Sequence, residues 1–467
     1  MLNNALAILL QLLGAVLFFN RFVAGVMLRF LKRKAFDEAD YSYQPTVTVV
    51  VPMFNEGEGI RRTIESLLGL EYPAGKLEIV VVDDCSTDDS FAHAQAVAAA
   101  APMRVRVLRN KHNLGKRRSI NRAVLQSRSE IIVSVDSDVV VDRVAVRELV
   151  ARFVRPDIAA VGGWVDVRNK GDNWLTRMQT IKYFFSYHFL KNLEWAFRRV
   201  MCLSGCLTAY RRDVLVELHP ILENRAILGV PIKYGEDRFL TRQIVKAGYL
   251  TTMTLKAVCW TAAPTKLEDY FSQQLRWRRS NIVDYVGALS HVWRLNPVIA
   301  VHYFSLFAML LAYPALLMTA VMKGQLFPMI VRQVIVAALI GVGYWWKVRK
   351  LPIERVNPLW FVPIAFVLPV IYALMTPLAL FTLDSGSWET RHHHDDGEPE
   401  PEPRGTRDDD DAATDAIPAR PMLDPVTVTS SALPVASTAA AATATAAAAT
   451  AAAASATSPA HAERPAA

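Results

Sequence analysis

The sequence predicts an α/β domain with a mostly parallel sheet, set between transmembrane α-helices. Three observations carry this: short apolar runs alternating with helical stretches from Thr46 onward, polar and acidic residues at the ends of those runs, and long apolar segments on both sides. At 467 residues the chain has room for one large domain and several membrane helices.

The first element, residues 1–34, reads as an uncleaved anchor. An apolar run over 5–28 is followed by Arg29, Lys32, Arg33 and Lys34, whereas a signal peptide carries its charge ahead of the run. Basic residues after the anchor put the succeeding domain in the cytoplasm and leave the N-terminus outside. From 46 to 265 the pattern is that of the α/β domain. Buried strands are expected at 47–51, 77–82, 105–108 and 131–135, with helices over 59–70, 90–101 and 116–127 between them. Such sheets take ligands at the carboxyl ends of their strands.

Residues 266–294, rich in aromatic and basic side chains, read as an amphipathic helix at the membrane interface. The region 297–383 holds about three apolar segments near the roughly 20 residues that cross a bilayer. The basic link 347–355 belongs on the cytoplasmic side. The expectation is thus a multi-pass cell-membrane protein with a cytoplasmic domain. The tail 392–467 is acidic and then rich in Ala and Thr; it has too few large apolar groups for a core and reads as disordered. His392, His393 and His394 in such a tail suggest at most adventitious metal binding.

The net charge of +8 hides a division: residues 1–391 carry 48 basic and 32 acidic groups, and the tail 4 and 12. A basic body beside apolar helices points to lipid and phosphate as partners rather than nucleic acid. The four cysteines, Cys85, Cys202, Cys206 and Cys259, lack the spacing of paired zinc ligands and should be free thiols.

The candidate site residues lie at strand and helix ends. Asn55 and Glu56 follow the first strand, and Asp83 and Asp84 end the second, where carboxylates can accept hydrogen bonds from a base or ribose. Capping accounts equally for Ser86 to Asp88, and poorly for the two preceding aspartates. Lys116 opens a helix behind Gly115 and is a candidate phosphate contact; a plain surface lysine is the bland alternative. Asp136 and Asp138 form an Asp-x-Asp at the fourth strand end, suited to Mg²⁺ or Mn²⁺ held between carboxylates and substrate phosphates. Glu236 and Asp237 stand about a hundred residues on, and a carboxylate there, Asp237 first, can act as general base. Ser204 and Gly205 precede Cys206. Gln273, Arg276 and Trp277 lie in the amphipathic stretch, where Arg can pair with a diphosphate and Trp can stack on a sugar ring, or both can serve as interface anchors.

In this order the motifs resemble those of the processive family 2 glycosyltransferases, most closely the group of hyaluronan synthases and rhizobial chitooligosaccharide synthases, from about Thr46 to Arg391. The resemblance implies a GT-A type nucleotide-sugar-binding domain, with Asp83 and Asp84 as the uridine-binding pair, Asp136 and Asp138 as metal ligands and Asp237 as the base. Gln273, Arg276 and Trp277 match the Gln-x-x-Arg-Trp motif of processive members, which helps hold the acceptor end and the diphosphate. Ser204 and Gly205 match the Ser-Gly-Pro-Leu segment near the acceptor, with Cys206 in place of proline. Trp388 and Arg391 match a Trp-Gly-Thr-Arg motif with Glu389 in place of glycine.

The implied partners are a UDP-sugar donor, UDP-N-acetylglucosamine with or without UDP-glucuronic acid, a growing polysaccharide acceptor and membrane lipid. The competing expectations are transfer of one sugar to a lipid carrier, a cellulose-type synthase using UDP-glucose, and an inactive scaffold. Three crossings after a cytoplasmic domain would strand Trp388 and Arg391 outside, so the resemblance requires one apolar segment to be interfacial or re-entrant.

Overall fold

The computed structural model describes residues 38–383, apart from 224, 228, 229 and 233, together with 9, 12, 14, 23–32 and 36. Most of the expected anchor, the tail, Trp388 and Arg391 lie outside the described residues.

After a short helix α1 (Gly25–Leu31), strand β1 (Val47–Met53) enters the domain, followed by α2 (Gly59–Leu68), β2 (Leu77–Asp83), α3 (Ser90–Ala100), β3 (Val105–Arg109), α4 (Lys116–Gln126) and β4 (Ile131–Ser134). The expected strands and helices are all there, with ends one to two residues away. These strands pair in parallel, in the order β3-β2-β1-β4. Every residue of β1 is buried, as a Val-rich strand covered on both faces requires.

The chain then forms β5 (Val140–Val141), α5 (Ala145–Val150), β6 (Ile158–Val167), α6 (Trp174–Phe185), a π-helical turn at Ser186–Leu190, α7 (Asn192–Ala196), β7 (Thr208–Arg211) and α8 (Arg212–Glu223). A hairpin of β8 (Ala226–Ile227) and β9 (Val230–Pro231) leads into α9 (Glu236–Lys246), and β10 (Leu250–Thr261) completes the sheet. The full order is β3-β2-β1-β4-β7-β6-β10-β5, with β7 antiparallel between β4 and β6. The sheet is therefore mixed although mostly parallel, and β7 brings the 204–207 turn beside the end of β4.

Helix α10 (Leu267–Leu289) carries the Gln-x-x-Arg-Trp residues and packs against α9 and against the apolar helices after it. The stretch expected as one helix to 294 ends instead with a 3-10 turn at Val292–Arg294. Next come α11 (Pro297–Met322), α12 (Leu326–Val348), a 3-10 turn at Pro358–Phe361, α13 (Ile364–Val370), a π turn at Ile371–Met375 and α14 (Thr376–Phe381).

Two helical stretches, Leu326–Val348 and Pro358–Phe381, are long and apolar enough to cross a membrane. A third candidate is α11, bent by 43° between Pro297–Leu310 and Ala312–Met322. Pro314 lies just past the bend, and its ring clashes with the carbonyl four residues back while donating no hydrogen bond. Phe327, Leu339, Trp345, Phe366 and Phe381 are exposed, an apolar surface consistent with a membrane-associated protein.

The stretch Pro358–Phe381 meets the α/β domain near both ends. Arg177 of α6 lies 5.2 Å from the Trp360 ring centroid, and at the far end the Tyr234 hydroxyl donates to the Leu383 carbonyl at 2.9 Å. Arg279 Nε of α10 also donates to Thr382 Oγ1 at 3.0 Å. The N-terminal segment also contacts the domain: Arg29 donates to Asn192 Oδ1 at 2.9 Å, and Lys32 lies over the Phe197 ring.

Candidate active site

The site lies at the carboxyl ends of β1, β2 and β4. After β1 the backbone turns sharply at Asn55 (φ 50°), and after β2 at Cys85 (φ 64°), left-handed conformations that are uncommon for residues other than glycine. The two turns are tied together. Asn55 N donates to Ser86 Oγ at 3.0 Å, and Thr87 N donates to Asn55 Oδ1 at 2.9 Å.

Asp83 and Asp84 are both fully buried. Asp83 accepts from Ser86 N and lies 3.1 Å from Arg109 Nε. Asp84 accepts from Asn110 Nδ2 at 2.7 Å, Leu114 N at 2.9 Å and Gly115 N at 2.7 Å. Asp84 is thus the anchor of the loop that delivers Lys116, a role its sequence position did not reveal.

Lys116 Nζ sits 2.6 Å from Asp136 Oδ1 and 3.3 Å from Glu236 Oε1. Burial lowers its proton affinity, but Asp136, Glu236 and Asp237 outweigh this and hold the ammonium well above the usual lysine range. Gly205 closes over the pair: a Cβ there would lie 2.9 Å from Lys116 Nζ and 3.4 Å from Asp136 Oδ1. Its amide donates to Asp237 Oδ2 at 3.2 Å. Ser204 is drawn into the same turn, its hydroxyl accepting from Cys206 N and its carbonyl from Thr208 Oγ1. Cys206, in the position where the family motif has proline, donates its thiol to Asp136 Oδ2 at 3.4 Å.

Asp237 stands in the first turn of α9. Burial and then Glu236 raise its proton affinity, and Lys116 and Arg238 offset only part of this. Gly235, which caps the helix at φ 67°, lets α9 approach α10 closely: a Cβ there would fall 2.1 Å from Ser280 Oγ. The Asp237 carboxylate is thereby registered against the Gln-x-x-Arg-Trp helix.

The Asp-x-Asp is braced from both sides. Ser137 Oγ donates to Glu56 Oε1 at 2.7 Å, and Thr261 Oγ1 donates to Asp138 Oδ2 at 3.3 Å. Among the described residues no group of three His, Cys, Asp or Glu side chains converges as a closed metal cage. Two carboxylates at an open strand end, with the substrate's phosphates completing the shell, are what Mg²⁺ or Mn²⁺ needs. Asp136 and Asp138 therefore fit such an ion.

Lys116, Asp136, Gly205, Glu236 and Asp237 thus come together, while Asn55, Asp83 and Asp84 form a neighbouring group. Gln273, Arg276 and Trp277 are set apart from both on α10. The link is Tyr183 of α6: its ring centroid lies 6.2 Å from that of Trp277, and Asp138, Cys206 and Arg276 all act on its buried hydroxyl. Arg276 Nε is buried without a hydrogen-bond partner among the described residues. The sequence offered no motif for Tyr183. Its helix carries a capping box at Asn173 and Thr176, a local signal that marks the helix but not the site.

The mostly parallel mixed sheet with acidic residues at its strand ends is that of a GT-A-like glycosyltransferase fold. The chain matches the family described as Glycosyltransferase like family 2 over residues 45–280, and belongs to it. It is similar to a protein named N-acetylglucosaminyltransferase from Rhizobium meliloti (strain 1021), 34% identical over 55% of this chain and 60% of that one. The protein of the same name from Azorhizobium caulinodans is 35% identical over 52% of this chain and 62% of its own length. The one from Bradyrhizobium diazoefficiens is 34% identical over 54% and 51%. The chain thus spans about half to three fifths of these relatives. Among solved structures it resembles a mannosyltransferase from Pyrobaculum calidifontis in complex with GDP-Man and Mn²⁺, with a TM-score of 0.54 and 21% identity over 82% of this chain and 98% of that one, a likeness of fold.

Proposed function

We propose that the chain is a processive inverting transferase that builds a β-linked polysaccharide from UDP-N-acetylglucosamine, alone or with UDP-glucuronic acid, and passes it across the membrane. The relatives' printed names support the first sugar. The observation that carries the chemistry is Asp237, a half-buried carboxylate of raised proton affinity held by the Gly205 amide beside the Lys116–Asp136 pair.

In this reading Asp237 takes the proton of the acceptor hydroxyl as that oxygen attacks the anomeric carbon. Its raised proton affinity makes it a better base than an exposed aspartate. Asp83 and the Asn55 turn hold the uridine side. Lys116 lies where the diphosphate accumulates negative charge, and Arg276, with its unpartnered Nε, meets the same group from α10. Asp136 and Asp138 would hold a Mg²⁺ or Mn²⁺ ion, which supplies charge neutralisation to the departing UDP. Trp277 gives the acceptor sugar a flat apolar face.

The contacts at both ends of Pro358–Phe381 support a re-entrant or interfacial course for this stretch, with α11 and α12 as the crossings. Leu383 then lies on the side of the α/β domain. This requirement came from the motif order, and the Tyr234–Leu383 bond is its structural support.

The test is UDP release by purified protein with Mn²⁺ and each UDP-sugar. Release with UDP-N-acetylglucosamine and long product supports the reading. Single-sugar product on a lipid carrier, or release only with UDP-glucose, overturns it.

A further inference from the structure

Lys182 on α6 is half-buried and points its amine at α10. Its Nζ donates to Gln274 Oε1 at 2.8 Å and lies 3.5 Å from the Tyr270 hydroxyl. It also stands 5.4 Å from the ring centroids of both Tyr270 and Trp277. Gln274 Nε2 in turn donates to Gln273 Oε1 at 3.4 Å. One amine therefore touches Trp277 directly and Gln273 through one amide. Tyr183, the next residue of α6, flanks Trp277 from the same helix.

Burying an amine costs free energy that an apolar side chain of similar length would not incur. No carboxylate among the described residues comes within ion-pair distance of Lys182. The titratable and charged groups facing it are Tyr270 and Arg278 from α10 and Tyr183 from its own helix; Tyr372 of the last apolar stretch lies against Arg278. Without an ion pair, the amine is directed at the two ends of the Gln-x-x-Arg-Trp motif.

We propose that Lys182 is a positioning residue for the acceptor subsite, fixing the Trp277 indole and the Gln273 amide in the orientation that receives the growing chain end. This rests on the reading that Trp277 meets the acceptor sugar. An amine over an indole face attracts it as a cation, and more weakly once neutral. Burial, and then Arg278, lower the Lys182 amine to about 7, so its charge changes close to neutrality.

The test uses the purified full chain in detergent with Mn²⁺, UDP-N-acetylglucosamine and a β-linked N-acetylglucosamine oligosaccharide as acceptor. Lys182→Met is expected to raise the acceptor KM by roughly three- to thirty-fold, with donor KM unchanged, and to shorten the product. Lys182→Arg is expected to restore most of the loss. The parent's acceptor KM should climb as pH rises through about 7, and that of Lys182→Arg should stay flat. Trp277→Ala separates the two readings. If it leaves acceptor KM unchanged, the acceptor reading of Trp277 fails. If Trp277→Ala raises acceptor KM but Lys182→Met does not, the role of Lys182 fails alone. Should Lys182→Met not fold, the pH profiles decide: the same slope in the parent and in Lys182→Arg overturns the proposal.

Discussion

Lys116 Nζ lies 2.6 Å from Asp136 Oδ1, so one ammonium group joins the helix after β3 to the acidic end of β4. The same ammonium reaches Glu236 at 3.3 Å and holds three carboxylates together at the centre of the site. Replacing it with Met should weaken donor binding at least ten-fold. It should also cost about 3 kcal/mol of stability, because the acidic groups lose their buried partner. The proton affinity of Lys116 is raised by folding, so its contribution is present at neutral pH and lost only in strong base. Isothermal titration with UDP and urea unfolding check both.

Asp237→Asn should lower kcat by about 10²- to 10⁴-fold while leaving donor binding within a few-fold of the parent. Folding raises the proton affinity of Asp237, so its ionisation costs stability once pH exceeds the unfolded carboxylate value, and that cost is complete above the folded value. The Asn variant should therefore be no less stable than the parent at neutral pH. In the parent the rate should fall, on acidification, at a higher pH than an ordinary aspartate would give. Thermal unfolding and a pH–rate profile read these outcomes.

Gly235→Ala should be among the most damaging single changes in the domain. The position has φ 67°, and the new Cβ would meet Ser280 Oγ at 2.1 Å. A loss of about 2 to 4 kcal/mol is expected from backbone strain and the clash together. Ser280→Gly in the same chain should recover only the part due to the clash. Urea midpoints of the two variants test this.

The leading half of the sheet was legible in the sequence because Val- and Ile-rich runs there end abruptly in Asp, Asn or Ser. The trailing half was not. β6 contains Gly162 and Gly163, and β10 is interrupted by threonines and by Lys256, so neither presents an unbroken run of large apolar residues. The site divides the same way. Asp136, Lys116 and Asp237 announce themselves at strand and helix ends, and the structure brings them together. Tyr183 and Lys182 gain meaning only when α6 packs against α10, more than ninety residues on, which no local pattern encodes. Asp84 stands in a pair that suggests ligand binding, and its carboxylate also holds the loop before Lys116.

A labelling reagent that cannot cross membranes should distinguish the two courses of the last apolar stretch. Single cysteines placed just after Leu383 and on the surface of α3 should be protected or labelled together in sealed vesicles. Opposite labelling would mean that Pro358–Phe381 crosses the bilayer.

The most direct measurement is UDP release and product size for the purified protein with Mn²⁺ and UDP-N-acetylglucosamine, with and without UDP-glucuronic acid. The account predicts UDP release that chelation of the ion abolishes, and a polymer of many sugars, cut by chitinase if the first donor suffices and formed only with both donors otherwise. A folded protein that releases no UDP from either donor would contradict it.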